Sequence, residues 1–344
     1  MHMADALLSP AVGGAMWVAT AGTIFYCSKK VKEDLDDRKI PLMGVLGAFI
    51  FAAQMINFTI PATGSSGHLG GGLLLAILLG PHAAFLTIAS VLMVQALFFA
   101  DGGLLALGCN VFNLGVFPCF IAYPFIYKPI AGINPTPLRI TIGATLGAVI
   151  GLQLGAAGVV LQTVSSGISE LPFNAFISVM LPIHLAIGLV EGLVTAAVVS
   201  FIWKSRPELL ELTADTRPLG DISLTKVIGA LGVAAVITGG ALSWFASSSP
   251  DGLEWSMFKV SGHEELEAPE KGIHHTLAVL QEKTSFLPDY SFKAGDPEAE
   301  GLAETGSWPA VDSGTTISGL VGGVMTLALA LSIGFLFRKR SKTA

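Results

Sequence analysis

Residues 140–164 read ITIGATLGAVIGLQLGAAGVVLQTV, and this stretch decides the class of fold. It contains no charged side chain. A helix crosses the hydrocarbon core of a bilayer with about 20 consecutive apolar residues, and this run is longer than that. The stretch therefore predicts a membrane-spanning helix.

The composition of the whole chain agrees with that prediction. Of its 344 residues, 52% are hydrophobic and 13% are charged, and the mean hydropathy is +0.69. Soluble domains carry about 25% charged residues, so the composition indicates a polytopic membrane protein. The 40 glycines suit closely packed transmembrane helices. A net charge of −6 argues against nucleic acid as a partner.

Further apolar runs lie on both sides of residues 140–164. The run 73–79 is too short to span the bilayer alone, so it needs its glycine-rich lead-in or a re-entrant path. We expect an all-α membrane protein, a polytopic helical bundle with about nine transmembrane helices, seven in a first block and two in a second. The predicted spans are residues 10–28, 41–60, 73–79, 82–100, 104–127, 140–164, 173–203, 227–246 and 315–337.

The charged loops between these runs predict the orientation. Basic residues fall in the loops 29–39, 128–139 and 204–217 and in the C-terminal RKRSK, and the positive-inside rule assigns these to the cytoplasm. The N-terminus then lies outside a multi-pass inner-membrane protein. The first run is preceded by Asp5 and followed by lysines, the reverse of a signal peptide, so we expect Met1 to stay in place.

The same pattern predicts three parts. Residues 1–203 form a first membrane domain, and residues 204–226 form a cytoplasmic linker. Residues 227–344 form a second domain, in which two spans flank an acidic extracytoplasmic loop at 247–314.

The start of the chain, MHMADALLSP, offers three nitrogen donors. The Met1 amine, the His2 amide and the His2 imidazole can form fused chelate rings around one metal ion. The His68 imidazole, in TGSSGHLGGG, would complete a plane of four nitrogens, which favours Ni(II) or Cu(II), with Co(II) also compatible. Spacing alone does not place His2 beside His68, so a His2 without any metal role stays open.

A second candidate pair is His184 and Glu191, two helical turns apart in LPIHLAIGLVEG. Ionisable residues inside a span face the bundle interior and are functional candidates. A structural pair that fixes helix packing is the alternative. The remaining histidines and the cysteines are interpreted as structural, solvated or packing residues. They are His82, His263, His274, His275, Cys27, Cys109 and Cys119.

Several stretches carry a specific resemblance. MHMADALLSP, TGSSGHLGGG, LLGPHAA, FFADGGLLALGCNVFNLG and LPIHLAIGLVEG follow in this order within residues 1–203. They resemble the nickel/cobalt substrate-capture subunits, called CbiM or NikM, of energy-coupling factor (ECF) transporters. SSPDGLEWS, with PDGLE at 250–254, resembles the motif of their small CbiN/NikN-like accessory subunit. The resemblance therefore implies a fusion of the two.

The resemblance also implies a site. The metal ligands would be the Met1 amine, the His2 amide and imidazole and the His68 imidazole. Candidates for orienting partners or for the metal pathway are Asp5, Ser65, Ser66, His184 and Glu191. The chain has Met3-Ala4-Asp5-Ala6 where many relatives have Ile-Pro-Asp-Gly, which leaves the choice between nickel and cobalt open.

The implied activity is high-affinity uptake of Ni²⁺ or Co²⁺ as transported substrate, without catalysis. The sequence contains no GxxxxGK[ST] loop, and so no ATP site of that type. The resemblance implies that a transmembrane coupling (T) component and two ATPase subunits supply the energy, in the lipid bilayer.

Two other classes of function compete with this interpretation. A proton-driven secondary metal transporter would use His184 and Glu191, but such carriers commonly contain paired repeats, and none is evident. An intramembrane metalloenzyme would need a motif such as HExxH, which the sequence lacks.

Overall fold

The computed structural model describes residues 2–34, 36–132, 135–214, 223–293 and 309–337. These residues form a helical bundle with one small hairpin. The helices are α1 Pro10–Asp34, α2 Ile40–Gln54, α3 Gly72–Leu79, α4 Pro81–Phe98, α5 Leu107–Ala131, α6 Pro137–Ser166, α7 Phe173–Ser205, α8 Pro207–Ala214, α9 Thr225–Gly240, α10 Gly252–Ser261, α11 Ile273–Thr284 and α12 Ser313–Leu336. The strands β1 Phe58–Ile60 and β2 Ser65–Gly67 pair antiparallel.

Within the described ranges, six helices are long and apolar enough to cross a bilayer: α1, α4, α5, α6, α7 and α12. The chain is thus an all-α, multi-pass membrane protein, as its hydropathy predicted. The other three predicted spans are shorter helices, α2, α3 and α9. The prediction that residues 41–60 form one span is wrong at its end, because the helix stops at Gln54 and residues 58–60 enter the hairpin.

Helix α5 departs from regular α geometry over most of its length. Residues Phe112–Tyr127 follow the wider π-helical path, and Pro118 and Pro124 lie inside this segment. Proline lacks the amide hydrogen that an α-helical ladder needs, so a shifted ladder accommodates both residues.

Small residues allow the helices to approach closely. On α7, a Cβ at Gly192 would lie 2.4 Å from the Cα of Thr145 on α6. Where α9 meets α12, a Cβ at Gly319 would lie 2.3 Å from the carbonyl oxygen of Gly239. Transmembrane helices associate through such close packing of small residues. The second block therefore packs as tightly as the first.

The long loop between α9 and α12 is not simply a solvated linker. Its described part contains α10 and α11, and both pack against the first block. The interpretation of His274 as a solvated residue is wrong. This side chain is 4% exposed, and its Nε2 donates to the Leu8 carbonyl at 2.8 Å.

Candidate metal centre

The loop that carries His68 is hydrogen-bonded to a buried carboxylate. Glu191 accepts hydrogen bonds from the backbone N–H groups of Gly70 and Gly71, each at 2.9 Å. Gly71 has a φ of +78°, a conformation that glycine adopts without strain. Glu191 therefore positions the His68 loop through both of its oxygens.

The N-terminal segment lies in a slot formed by the residues between α4 and α5 and by the start of α5. Asn110 clamps Met3, because its Oδ1 accepts from the Met3 N–H at 2.8 Å and its Nδ2 donates to the Met3 carbonyl at 3.2 Å. Gly103 also donates to the Met3 carbonyl, at 2.9 Å. Asp5 accepts from the Ala106 N–H at 2.9 Å. These bonds fix the chain at Met3 and Asp5, directly after His2.

The slot depends on the absence of a side chain at Gly103. A Cβ there would lie 1.9 Å from Asp5 Oδ1. Met3 itself is fully buried, so packing occupies its side chain. Asp5, a candidate orienting partner of a ligand, instead holds the segment through the backbone.

The fold brings His2 and His68 together. Their imidazole rings stack, with centroids 4.9 Å apart and an angle of 11° between the planes. His2 Nδ1 lies 2.9 Å from Asp101 Oδ1, and the Tyr290 hydroxyl donates to Asp101 Oδ2 at 2.5 Å. The side chain of His2 is 6% exposed, and its buried Nε2 has no hydrogen-bond partner among the described residues. Met1 lies outside the described residues.

Each of the two histidine rings is held through its Nδ1. His68 Nδ1 donates to the Leu69 carbonyl at 3.2 Å, which leaves the lone pair on Nε2, 3.9 Å from Asp251 Oδ2. Burial lowers the pKa of His68 to about 3, so the ring is neutral near pH 7. A neutral imidazole is the form that binds transition metals.

Asp101 stays charged beside His2. Burial raises the pKa of its carboxyl group, but the charge of His2 and the hydrogen bonds from His2 and Tyr290 outweigh burial and hold the pKa below its usual range. A carboxylate on one nitrogen of an imidazole orients the ring and makes the other nitrogen more basic. In this arrangement the available nitrogen of His2 is Nε2.

This arrangement differs from the predicted chelate in one respect. A ring closed between the His2 amide nitrogen and its own imidazole uses Nδ1, and Nδ1 here contacts Asp101. A half-turn about the Cβ–Cγ bond would direct Nδ1 away from the carboxylate. Since Nε2 would then lie on the Asp101 side of the ring, Asp101 would still orient it.

His184 and Glu191 share a helix face but not a hydrogen bond with each other among the bonds described. His184 Nδ1 donates to the Met180 carbonyl at 2.8 Å, and its buried Nε2 has no described partner. His184 and His68 line one small cavity together with Asp251 and Gly252. Glu191 serves the His68 loop instead.

The segment 249–254 docks on the hairpin that precedes His68. The Ser66 N–H donates to the Pro250 carbonyl at 2.8 Å, and the Ser66 hydroxyl donates to the Ser249 carbonyl at 2.7 Å. The Ser65 hydroxyl donates to the Ser66 carbonyl at 3.2 Å. Ser65 and Ser66 therefore direct their hydroxyl groups to backbone carbonyls, not to an imidazole.

The PDGLE sequence itself forms the start of α10. Asp251 accepts from the N–H groups of Leu253 and Glu254, and Glu254 accepts from the Asp251 N–H, which is a capping box. A Cβ at Gly252 would lie 2.9 Å from Ile187 and 3.1 Å from His184. The glycine thus allows Asp251 to approach His68.

Four residues beside the histidines were not identified from the sequence: Asp101, Asn110, Asp251 and Tyr290. Asp101 lies in a glycine-rich turn between two predicted spans, Asn110 is a polar residue inside one, and Asp251 belongs to the PDGLE motif, whereas Tyr290 in the polar loop carries no such signal. Among the described residues, no three His, Cys, Asp or Glu side chains form a ready-made metal site. A metal bound here needs donors beyond these side chains.

Comparison with known proteins identifies the family. The cobalt uptake substrate-specific transmembrane region, CbiM, matches residues 2–209, and the PDGLE domain matches residues 225–339. The chain belongs to the CbiM family. A putative fused nickel transport protein NikMN from Archaeoglobus fulgidus is 33% identical to it over 348 residues, with all of both chains covered.

Other relatives carry nickel or cobalt in their names. The fused nickel transport protein NikMN of Rhodobacter capsulatus is 31% identical over 85% of this chain and 88% of that protein. A cobalt transport protein CbiM from Geobacter sulfurreducens is 29% identical over 61% of each. The crystal structure of a truncated transition metal transporter is similar with a TM-score of 0.53 and 30% identity, covering 60% of this chain and 99% of that one. This CbiM protein thus belongs among metal transporters, not enzymes.

Proposed function

We propose that this CbiM protein captures Ni²⁺ or Co²⁺ from outside the cell for import, as the substrate-binding component of an ECF transporter. The observation that carries the proposal is the stacked pair of His2 and His68, whose rings lie 4.9 Å apart beside Asp101. The neutral imidazole of His68 and the imidazole of His2, which is oriented by a carboxylate, suit a divalent transition metal.

The proposed ligands are the Met1 amine, the His2 amide, the His2 imidazole and the His68 imidazole. On binding, the His2 ring turns so that Nδ1 closes the chelate and Nε2 contacts Asp101. Such planar nitrogen coordination favours Ni²⁺ or Cu²⁺ and is also compatible with Co²⁺. Glu191 and Asp5 act indirectly, because they hold the two backbone segments that carry the imidazoles.

The orientation and the partners form part of the same proposal. The N-terminus faces outward and the C-terminus faces the cytoplasm, because the basic loops must lie inside. Residues 1–203 form the capture domain, 204–226 the linker and 227–344 the accessory domain. Energy comes from a transmembrane coupling component and two ATPase subunits, which the resemblance to ECF systems implies.

Binding experiments on the full chain test the proposal. Purified protein is titrated with Ni²⁺ and with Co²⁺ by isothermal calorimetry, next to His2→Ala, His68→Ala and a variant with residues added before Met1. All three changes should abolish stoichiometric high-affinity binding. His275→Ala is the matched control, because this histidine is exposed on α11. Retained binding in both His→Ala variants would contradict the proposed site.

The rival interpretation is a proton-driven carrier that protonates Glu191. Its two oxygens already accept bonds from Gly70 and Gly71, so protonation would release the His68 loop. Uptake that is lost when the proton gradient is dissipated, with ATP spared, would favour the carrier.

A further inference from the structure

A cavity of about 410 Å³ opens beside His2. Its wall is rich in carboxylates from both blocks of the chain: Asp5, Asp101, Asp251, Glu254, Glu265 and Asp289. Among the described residues that line it, there is no lysine or arginine. We call this cavity the acidic vestibule. Its wall combines the N-terminal segment with the loop between α9 and α12.

The residues that line the vestibule differ in exposure, from exposed to buried. Glu265 and Asp289 are exposed at its rim, and Asp5 and Glu254 are half-buried. His2 also lines it, and its side chain is only 6% exposed. The buried Nε2 of His2 has no hydrogen-bond partner among the described residues. The cavity wall therefore carries exposed carboxylates together with the buried imidazole of His2.

The carboxylates repel one another. Burial, followed by the charge of Asp251, raises the pKa of Glu254 to about 7. Burial also raises the pKa of Asp289, to which the charges of Asp101 and Glu265 contribute. A divalent cation among these groups would relieve the repulsion.

The backbone at the rim supports the same interpretation. Asp289 and Tyr290 both have positive φ, 51° and 59°. Such conformations are strained in non-glycine residues and cluster at functional sites. Here they place Asp289 at the rim and Tyr290 on Asp101.

The size and chemistry of the vestibule indicate the state of its ligand. A water molecule occupies about 30 Å³ in the liquid, so a divalent ion fits with its water shell. No three acidic or histidine side chains among the described residues converge closely enough to strip that shell. The carboxylates would then bind the ion through its water molecules.

We propose that the acidic vestibule is a loading site, which concentrates hydrated divalent cations and passes them to His2 and His68. This inference rests on the proposed capture of metal at those histidines. It gives the second block a chemical role, because Glu254, Glu265 and Asp289 belong to that block.

The test measures the rate of association. Ni²⁺ binding to the full-length chain in detergent is followed by stopped flow at several ionic strengths. In Glu265→Gln/Asp289→Asn, the association rate should fall at least about threefold at low salt, since electrostatic steering contributes about 10- to 1,000-fold. The dissociation rate should stay unchanged and the salt dependence should flatten. Glu267→Gln/Glu270→Gln is the matched control, with exposed carboxylates of the same loop outside the vestibule.

A second variant keeps the test decisive if the first one unfolds. Ala268 is exposed and lines the vestibule, so Ala268→Lys adds a positive charge at the rim and should slow association further. Association rates equal to those of the control pair would overturn the loading site. Failure of the proposed capture function looks different, because the unmodified chain would then bind no metal stoichiometrically.

Discussion

Replacing Glu191 with glutamine tests whether this carboxylate positions His68. The carboxylate accepts two backbone bonds, from Gly70 and Gly71, at 2.9 Å each. A glutamine keeps one acceptor oxygen and turns an NH₂ group toward the other N–H. One hydrogen bond to a charged group, worth about 1.5–3 kcal/mol, is lost, and a buried donor is left unsatisfied. The expected cost is about 2–4 kcal/mol.

The cost should appear in metal affinity, because the loop must be ordered before His68 can bind. At about 1.4 kcal/mol for each tenfold change, Ni²⁺ affinity should fall about 30-fold or more. Calorimetric titration measures it, with thermal unfolding in detergent as the companion assay. Ser178→Ala is the control, because its hydroxyl is exposed on α7 and bonds only within the helix. Unchanged Ni²⁺ affinity in Glu191→Gln would refute the positioning role.

Two further predictions concern the imidazoles. Asp101→Asn should weaken Ni²⁺ binding about 10- to 100-fold, because it removes the carboxylate that orients His2, and competition with a chromophoric chelator measures this. Normal affinity in that variant would remove Asp101 from the site. Because burial lowers the pKa of His68 to about 3, the unfolded metal-free chain binds more protons below about pH 6.5, and folded-state stability falls as the pH falls. In that window, the free energy of unfolding of His68→Ala should fall with decreasing pH by about 1.4 kcal/mol per pH unit less than that of the unmodified chain. Denaturant unfolding at several pH values measures this, and equal pH slopes for the two proteins would disprove it.

Local sequence was sufficient for the membrane-spanning elements. The run 140–164 lies within the helix Pro137–Ser166, and the run 173–203 lies within Phe173–Ser205. Whether a segment can cross the bilayer depends on its length and on its charged groups, which are costly to bury in hydrocarbon. Both can be read from consecutive residues. The end of α2 was misplaced, because residues 55–60 are as apolar as a span while their backbone enters a hairpin.

The candidate site could be predicted only in part. His2 and His68 were selected for their donor chemistry, which is a property of each residue alone. Asp101 and Tyr290 were missed because their importance comes from each other and from His2. His274 looked like a loop residue because nothing in its neighbourhood indicates that it contacts the Leu8 carbonyl.

The sequence by itself determined the class of protein: an all-α membrane protein whose motifs resemble a metal-capture subunit joined to its accessory subunit. Those features are local, since hydropathy and motif are carried by consecutive residues. Only the tertiary structure decided that Glu191 supports the His68 loop and that Asp251 faces His68. It also decided that two blocks share one acidic vestibule. Such contacts join residues far apart in the chain, and close packing between helices, not spacing along the chain, sets which of them meet.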